Sequence, residues 1–197
     1  MSQLRDPERA LAEALGWQVA LERADLLAEP TARALARMED ASPQGAGLAR
    51  RARVVQIDPS LSDTEALNAA FDLDPRATGN CVLVAGKRSG QERLAACVVR
   101  ASDFADVNHV VKKRLDVRKA SFLAMDAAVE RSGMAYGGIT PVGLAGGWRL
   151  LIDAAVATRE SILIGTGVRH SKLLVPGELL AALPGAEVVE GLGVTPG

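Results

Sequence analysis

Aromatic side chains are scarce in this 197-residue chain, where Phe, Trp and Tyr together make up 3% of the sequence. Hydrophobic residues still account for 48%, so Ala, Leu and Val must build the core. No apolar run reaches the ~18 residues that a transmembrane helix needs. The stretch MSQLRDPERALAEAL at the N-terminus is charged and lacks the apolar segment of a signal peptide. We therefore expect a cytoplasmic protein with no membrane partner.

Cysteine and histidine are also rare, with two of each. Cys81 and Cys97 suit a reducing compartment, and with His109 and His170 they form no metal-like spacing. If the chain folds back near Ser89, the two cysteines face each other as buried thiols. The sequence thus predicts neither a metal nor another cofactor.

Signatures of common catalytic sites are missing as well. No G-x-S-x-G elbow occurs, GTG at 165–167 is too short for a dinucleotide fingerprint, and GKRSG is not a Walker loop. A nucleophilic triad needs a histidine base, and His170, on a glycine-bounded loop, suits that role better than His109. The net charge of −1 gives no general attraction for a polyanion, so contacts with nucleic acid require local patches.

The first fifty residues have a helical pattern. They are rich in Ala, Leu, Glu and Arg at three- and four-residue apolar spacing. Pro30 marks a helix start, and SPQGAG is predicted as a loop or short linker. We assign residues 1–50 to a helical extension and residues 51–197 to a separate domain.

Strands and helices interleave in the second part of the chain. Ser62–Glu65 has the spacing of a capping box, which predicts a helix from about Asp63 to Phe71. The hairpin at residues 80–101 argues against a purely parallel sheet, so we predict an α+β fold with a mixed sheet. The predicted strands are RVVQID, NCVLVAG, RLAACVVRA, residues 120–123, WRLLID, SILIGTG and KLLVP, and further helices are predicted over residues 106–115, 126–132 and PGELLAAL.

The stretch YGGITPVG at residues 136–143 combines three glycines with a Thr-Pro step. Gly137 and Gly138 can adopt positive φ and let a ligand approach the backbone closely. Pro141 fixes the direction in which the chain leaves and biases Thr140 towards extended geometry. Such a loop can aim backbone N–H or C=O groups at a substrate. On local chemistry alone, an ordinary turn is the simpler interpretation.

Together with its surroundings, this glycine loop resembles a known family. The loop is followed by WRLLIDAAV and SILIGTGVRHSKLLV, and it is preceded by NCVLVAG…RLAACVV and RKASFLAMDAAVERSGM. From about Val54 to Ala186 the chain resembles the YbaK/prolyl-tRNA deacylase family of synthetase-associated editing domains. Gly137–Pro141 matches the G-x-x-x-P motif of that family. The resemblance implies a mixed, strongly curved sheet flanked by helices.

The resemblance also implies an activity, namely free-standing trans-editing by hydrolysis of the ester at the 3′ end of mischarged aminoacyl-tRNA. An aminoacyl ester is already activated, so positioned water and dipoles for the oxyanion can replace a triad. An aminoacyl-tRNA synthetase is a further possible partner. The catalytic residues expected on this basis are Gly137, Gly138, Thr140 and Asp153. The expected substrate-binding residues are Asn80, Ile139, Pro141, Gly165, Gly167 and His170.

Several of these roles have structural alternatives. Asp153 follows an apolar strand, where its carboxylate can bind an amino group or a ribose hydroxyl, or can cap a helix or turn. Thr140 can line the amino-acid pocket or close the turn. His170 is favoured as a pocket wall over a general base. Few aromatic residues are available to stack bases, so nucleotide recognition is expected to be mainly polar.

Asn80 departs from the family pattern, in which a functionally important lysine often begins this strand. Asparagine offers two donors and one acceptor in place of a full charge. Lys87, Lys119 or Lys172 could supply that charge. The alternative is that catalysis is lost and that the fold is a non-catalytic module for tRNA ends or a synthetase. Candidate phosphate contacts are Lys112, Lys113, Arg114, Arg118, Lys119, Arg50, Arg51 and Arg53.

Overall fold

A computed structural model describes residues 4–196 and confirms the α+β class. The helices are α1 (Pro7–Ala14), α2 (Glu29–Ala41), α3 (Pro43–Arg51), α4 (Thr64–Phe71), α5 (Lys112–Leu115), α6 (Met125–Ser132), α7 (Ala154–Ala157) and α8 (Gly177–Ala181). The strands are β1 (Gln18–Val19), β2 (Arg53–Gln56), β3 (Gly79–Arg88), β4 (Gln91–Arg100), β5 (Phe104–Ala105), β6 (Ala120–Phe122), β7 (Trp148–Asp153), β8 (Ile162–Gly165), β9 (Ser171–Val175), β10 (Ala186–Val189) and β11 (Gly193–Val194). Among the helices of this described part, none is long and apolar enough to cross a membrane.

The larger sheet is mixed and has the strand order β10-β7-β4-β3-β6. Strands β3 and β4 form the predicted hairpin through a tight turn, in which Ser89 and Gly90 have φ of 49° and 80°. Strand β7 pairs in parallel with both β4 and β10. The prediction that the sheet is not purely parallel is therefore confirmed.

The hairpin register corrects the prediction for the two cysteines. Because the turn is centred between Ser89 and Gly90, Cys81 lies opposite Val98, and Cys97 lies opposite Val82. A shift of one residue moves a side chain to the other face of a sheet. The thiols therefore lie on opposite faces of the sheet and do not face each other.

The second sheet has the order β1-β2-β9-β8 and joins segments that are far apart in sequence. Strand β2 pairs antiparallel with β9, which places Val55 opposite Lys172. Strand β8 pairs with the other edge of β9. Strands β2, β8 and β9 were predicted, whereas the short strand β1 was not.

The N-terminal helices pack against both sheets. Leu35 of α2 and Leu48 of α3 lie in one hydrophobic cluster with Ile152 and Leu173. Leu11 of α1 belongs to another cluster, which includes Leu163 of β8. As predicted, Pro30 lies in the first turn of α2.

The segment SPQGAG is helical, so its prediction as a loop was wrong. Pro43 begins α3, and Ser42 caps it by accepting a hydrogen bond from the Gly45 N–H at 3.0 Å. A Cβ at Gly45 would lie 2.3 Å from the carbonyl oxygen of Met38. This glycine therefore permits the close approach of α2 and α3.

The start of α4 differs from the predicted capping box by one residue. Asp63, and not Ser62, is the N-cap, because its Oδ1 accepts hydrogen bonds from Glu65 N–H (2.9 Å) and Ala66 N–H (3.3 Å). The backbone carbonyl of Ser62 instead accepts a bond from Lys172. This contact connects the start of α4 to β9.

Candidate active site

A cleft of about 480 Å³ lies between β3 and the glycine loop (residues 136–143). Leu83, Leu123 and Ile139 give it apolar walls, and Asn80 is one of its polar groups. The sequence placed candidate site residues on both segments, with Asn80 on β3 and Gly137–Pro141 in the loop. The complete lining is Asp63, Thr64, Gly79, Asn80, Cys81, Val82, Leu83, Phe122, Leu123, Ala128, Tyr136, Gly137, Ile139, Gly165 and Lys172.

The glycine loop packs directly against the segment that follows β8. A Cβ at Gly138 would lie 2.2 Å from the carbonyl oxygen of Val168, and one at Gly165 would lie 2.2 Å from that of Gly138. The Gly167 N–H donates to the Gly138 carbonyl at 2.6 Å. These glycines are thus explained by the close approach of two backbones. Of the first pair in the loop, only Gly137 has a positive φ (85°).

Four of the ten sequence-predicted site residues meet in the cleft. They are Asn80, Gly137, Ile139 and Gly165. The other six lie outside its lining: Gly138, Thr140, Pro141, Asp153, Gly167 and His170.

Asp153 is a buried cap. One carboxylate oxygen accepts from the Ala155 N–H at 2.9 Å, and the other accepts from the Gly193 N–H at 2.8 Å. Both oxygens therefore bind backbone and join the end of β7 to α7 and β11. The sequence left two roles open for Asp153, ligand binding and capping. The observed contacts are those of a cap.

Thr140, Pro141 and His170 contact other parts of the fold. Thr140 is fully buried, and its backbone N–H approaches Met134 Sδ at 3.5 Å. Pro141 lines a second groove of about 840 Å³, which lies between α2, α3 and residues 141–148. His170 Nε2 lies 3.4 Å from the carbonyl oxygen of Asp25. Pro141 and His170 thus lie against the N-terminal segment, whereas Thr140 contacts Met134, just after α6.

Lys172 is the main site residue that the sequence did not single out. It lines the cleft although only 3% of it is exposed, and its Nζ donates to the Ser62 carbonyl at 2.7 Å. Burial lowers the pKa of Lys172 to about 8, and the Asp63 carboxylate opposes this shift. The sequence named Lys172 only beside Lys87 and Lys119, which are exposed and do not line the cleft. Lys172 differs from these two lysines because it lies on β9, which pairs with β2 inside the fold.

Cys81 lines the cleft, but its thiol is a poor nucleophile. Burial raises the pKa of Cys81, and the nearby Cys97 adds to the effect. The thiolate is the reactive form of cysteine. Cys81 is therefore a neutral, largely apolar wall of the cleft.

Two aromatic side chains form the lip of the cleft. Phe122 is 59% exposed and Tyr136 is 53% exposed, and both belong to the lining. The rings lie on different segments, β6 and the glycine loop. Aromatic residues are few, as the composition showed, but two of them lie exposed at this cleft.

The fold and the cleft define a class of small α+β domain with a partly apolar cleft beside a mixed sheet. The sequence pattern of the aminoacyl-tRNA editing domain family matches residues 58–183 of this chain. The chain belongs to that family, as the resemblance of its motifs predicted.

Solved structures share the fold at low sequence identity. A hypothetical protein matches with a TM-score of 0.64 and 17% identity, over 73% of this chain and 91% of its own. A candidate trans-editing enzyme for prolyl tRNA synthetase matches with a TM-score of 0.64 and 16% identity, over 86% of this chain and 99% of its own. A candidate signal transduction protein from Marinobacter aquaeolei VT8 gives a TM-score of 0.54 and 18% identity, over 85% of this chain and 31% of its own.

Proposed function

We propose that this protein is a free-standing trans-editing hydrolase that cleaves the ester of mischarged aminoacyl-tRNA. The observation that carries the proposal is the cleft itself, which combines the motif residue Gly137 with apolar walls and an aromatic lip. The apolar walls suit an amino-acid side chain. Phe122 and Tyr136 offer faces on which the terminal base of the tRNA can stack. We assign the proposed reaction to the cytoplasm.

The proposed reaction is simple ester hydrolysis. Water adds to the ester carbonyl carbon, the bond from that carbon to the ribose oxygen breaks, and a proton from the water passes to that oxygen. The products are the free amino acid and a tRNA with its terminal hydroxyl restored. A protonated Cys81 thiol supports direct attack by water over a covalent thioester. The cleft then acts by positioning the ester and stabilising its oxyanion.

A non-catalytic module that binds tRNA ends or a synthetase is the second candidate. Asn80 favours it, because this neutral amide occupies the position where the resemblance implies a lysine. The aromatic lip fits this function as well as it fits catalysis. Binding without turnover would therefore identify the second candidate.

A deacylation screen separates the two candidates. Purified protein is incubated with tRNA-Pro carrying proline, alanine, cysteine or serine, and then with other mischarged tRNAs. We expect at least one mischarged species to be hydrolysed faster than the correctly charged one. Asn80→Ala, a change within the cleft, should reduce this rate, whereas Phe104→Ala, at an exposed aromatic outside the cleft, should preserve it. Retention of all charged species, despite measurable binding, would reject the hydrolase.

A further inference from the structure

Lys172 is held in an unusual environment for a lysine. It lies on β9 and is almost completely buried, and the neighbouring strand positions Leu173 and Leu174 are apolar. Its ammonium has three N–H donors, and one of them reaches the Ser62 carbonyl at 2.7 Å. Within residues 4–196, no carboxylate lies within ion-pair distance of Nζ. The charge that acts on it is the Asp63 carboxylate.

A purely structural role does not account for this arrangement. Removing an ammonium from water is costly, and one hydrogen bond to a neutral carbonyl compensates only part of that cost. An apolar side chain of similar shape would fill the position without the penalty. The cleft that Lys172 lines is the space in which its remaining donors can meet an acceptor.

We propose that Lys172 is a catalytic residue whose ammonium binds the carbonyl oxygen of the substrate ester and stabilises the negative charge that develops there. This inference rests on the proposed function. The Ser62 carbonyl orients the ammonium through its hydrogen bond, and the apolar walls weaken competition from water. A donor placed in this way accelerates ester hydrolysis because it binds the transition state more strongly than the ground state.

The first test is the substitution Lys172→Met, which keeps an unbranched side chain that is one heavy atom shorter and removes the charge. We expect the single-turnover deacylation rate to fall about 100-fold or more, as for the loss of one oxyanion donor. The unfolding midpoint should stay the same or rise, because a buried charge is removed. A rate within threefold of wild type overturns the proposal. A lower rate together with a lower midpoint assigns Lys172 a structural role instead.

The pH profile gives a readout that a structural role would not produce. Burial lowers the pKa of Lys172 to about 8. The catalysed rate, divided by the spontaneous rate at the same pH, should therefore fall above pH 8 in the wild type. Asp63, Cys81 and Tyr136 are the other titratable groups that line the cleft. The fall should persist in Cys81→Ser and Tyr136→Phe, and it should move to lower pH in Asp63→Asn, because the Asp63 carboxylate opposes the lowering of the Lys172 pKa. Loss of the fall in any one of these variants would assign it to the substituted group.

Binding measurements distinguish the ester carbonyl from a tRNA phosphate as the partner of Lys172. The probes are uncharged tRNA and a stable analogue with an amide in place of the ester. Lys172→Met should weaken binding of the analogue about tenfold and leave uncharged tRNA within twofold. Equal weakening of both, with a shallower salt dependence, would assign Lys172 to a phosphate and overturn the proposal. If the wild type hydrolyses no charged tRNA, the proposed function fails, and the analogue still tests Lys172.

Discussion

At the scale of single residues, the charge on Lys172 should reduce stability at neutral pH. The unfolded chain keeps this proton to roughly pH 10.5, whereas the folded chain loses it near pH 8. Between these values the unfolded state binds more protons, so the free energy of unfolding rises with pH. The full difference corresponds to about 3 kcal/mol. Below pH 8 the penalty is present in full.

Urea unfolding at pH 7 and pH 9.5 tests this pH dependence. The free energy of unfolding of the wild type, measured relative to Lys172→Met, should increase by about 2 kcal/mol between the two values. The comparison cancels the contributions of all groups that the two proteins share. Parallel pH curves for the two proteins would show that Lys172 keeps an ordinary affinity for its proton in the folded state.

The glycine loop, at the next scale, is more sensitive to packing than its sequence suggested. Because the sequence places Gly138 among the expected catalytic residues, it predicts that Gly138→Val harms activity more than folding. The structure assigns the damage to folding, because a Cβ at this position would lie 2.2 Å from the Val168 carbonyl oxygen. Even Gly138→Ala should lower the free energy of unfolding by about 1–3 kcal/mol.

The matched control for this change is Gly146→Ala, which lies in the same connection between α6 and β7. Gly146 has no heavy atom within 4 Å of a built Cβ, and its φ lies outside the positive range. Its substitution should change the free energy of unfolding by less than about 0.5 kcal/mol. Urea titrations of both variants provide the measurement. If the two variants have similar free energies of unfolding, the glycine loop and the segment that follows β8 can separate without cost.

The aromatic lip should contribute to binding the end of the tRNA. Tyr136→Ala removes one of the two exposed rings at the cleft, and stacking of a base is worth about 1–3 kcal/mol. Affinity for a short RNA that ends in the tRNA 3′ sequence should fall accordingly, by about 5-fold to 150-fold. Tyr136→Phe keeps the ring and should retain most of the affinity.

Phe104→Ala is the control for a general effect of exposed aromatics. Phe104 is 70% exposed on β5, outside the cleft lining. Fluorescence anisotropy with the labelled RNA compares the variants. If Tyr136→Ala and Phe104→Ala bind equally well, the lip does not stack the base.

The elements that the sequence predicted correctly are those with strong local signals. The β3–β4 hairpin combines apolar strands with a Ser89-Gly90 turn, and Gly133 ends α6 in the left-handed conformation. The strands β1, β5, β10 and β11 were not predicted, since they have two to four residues and depend on their partners. Lys172 was not distinguished because its position depends on pairing with β2, more than a hundred residues earlier. Such long-range pairing leaves no local pattern.

At the scale of the whole molecule, the N-terminal segment forms hydrogen bonds with both the glycine loop and the segment that follows β8. The Ala28 N–H donates to the Thr166 carbonyl at 3.0 Å, and Thr31 Oγ1 donates to the Val142 carbonyl at 3.1 Å. The carbonyl of Leu26 accepts a bond from Ser171 Oγ at 2.5 Å. These contacts are made by residues that precede the family match at 58–183. We therefore infer that the N-terminal segment and the editing domain unfold together.

The substitution Leu35→Ala tests this coupling from within α2. Leu35 is 1% exposed and shares a cluster with Leu173 and Ile152, so its truncation should cost about 2–5 kcal/mol. Arg33→Ala, at an exposed position of the same helix, should cost less than about 0.5 kcal/mol. In a Trp17→Phe background, Trp148 on β7 reports on the larger sheet, while far-UV circular dichroism reports on the helices. If the two parts are coupled, Leu35→Ala shifts both urea transitions by the same amount. A Trp148 transition that stays in place while the helical signal moves would show that the N-terminal segment folds as an independent unit.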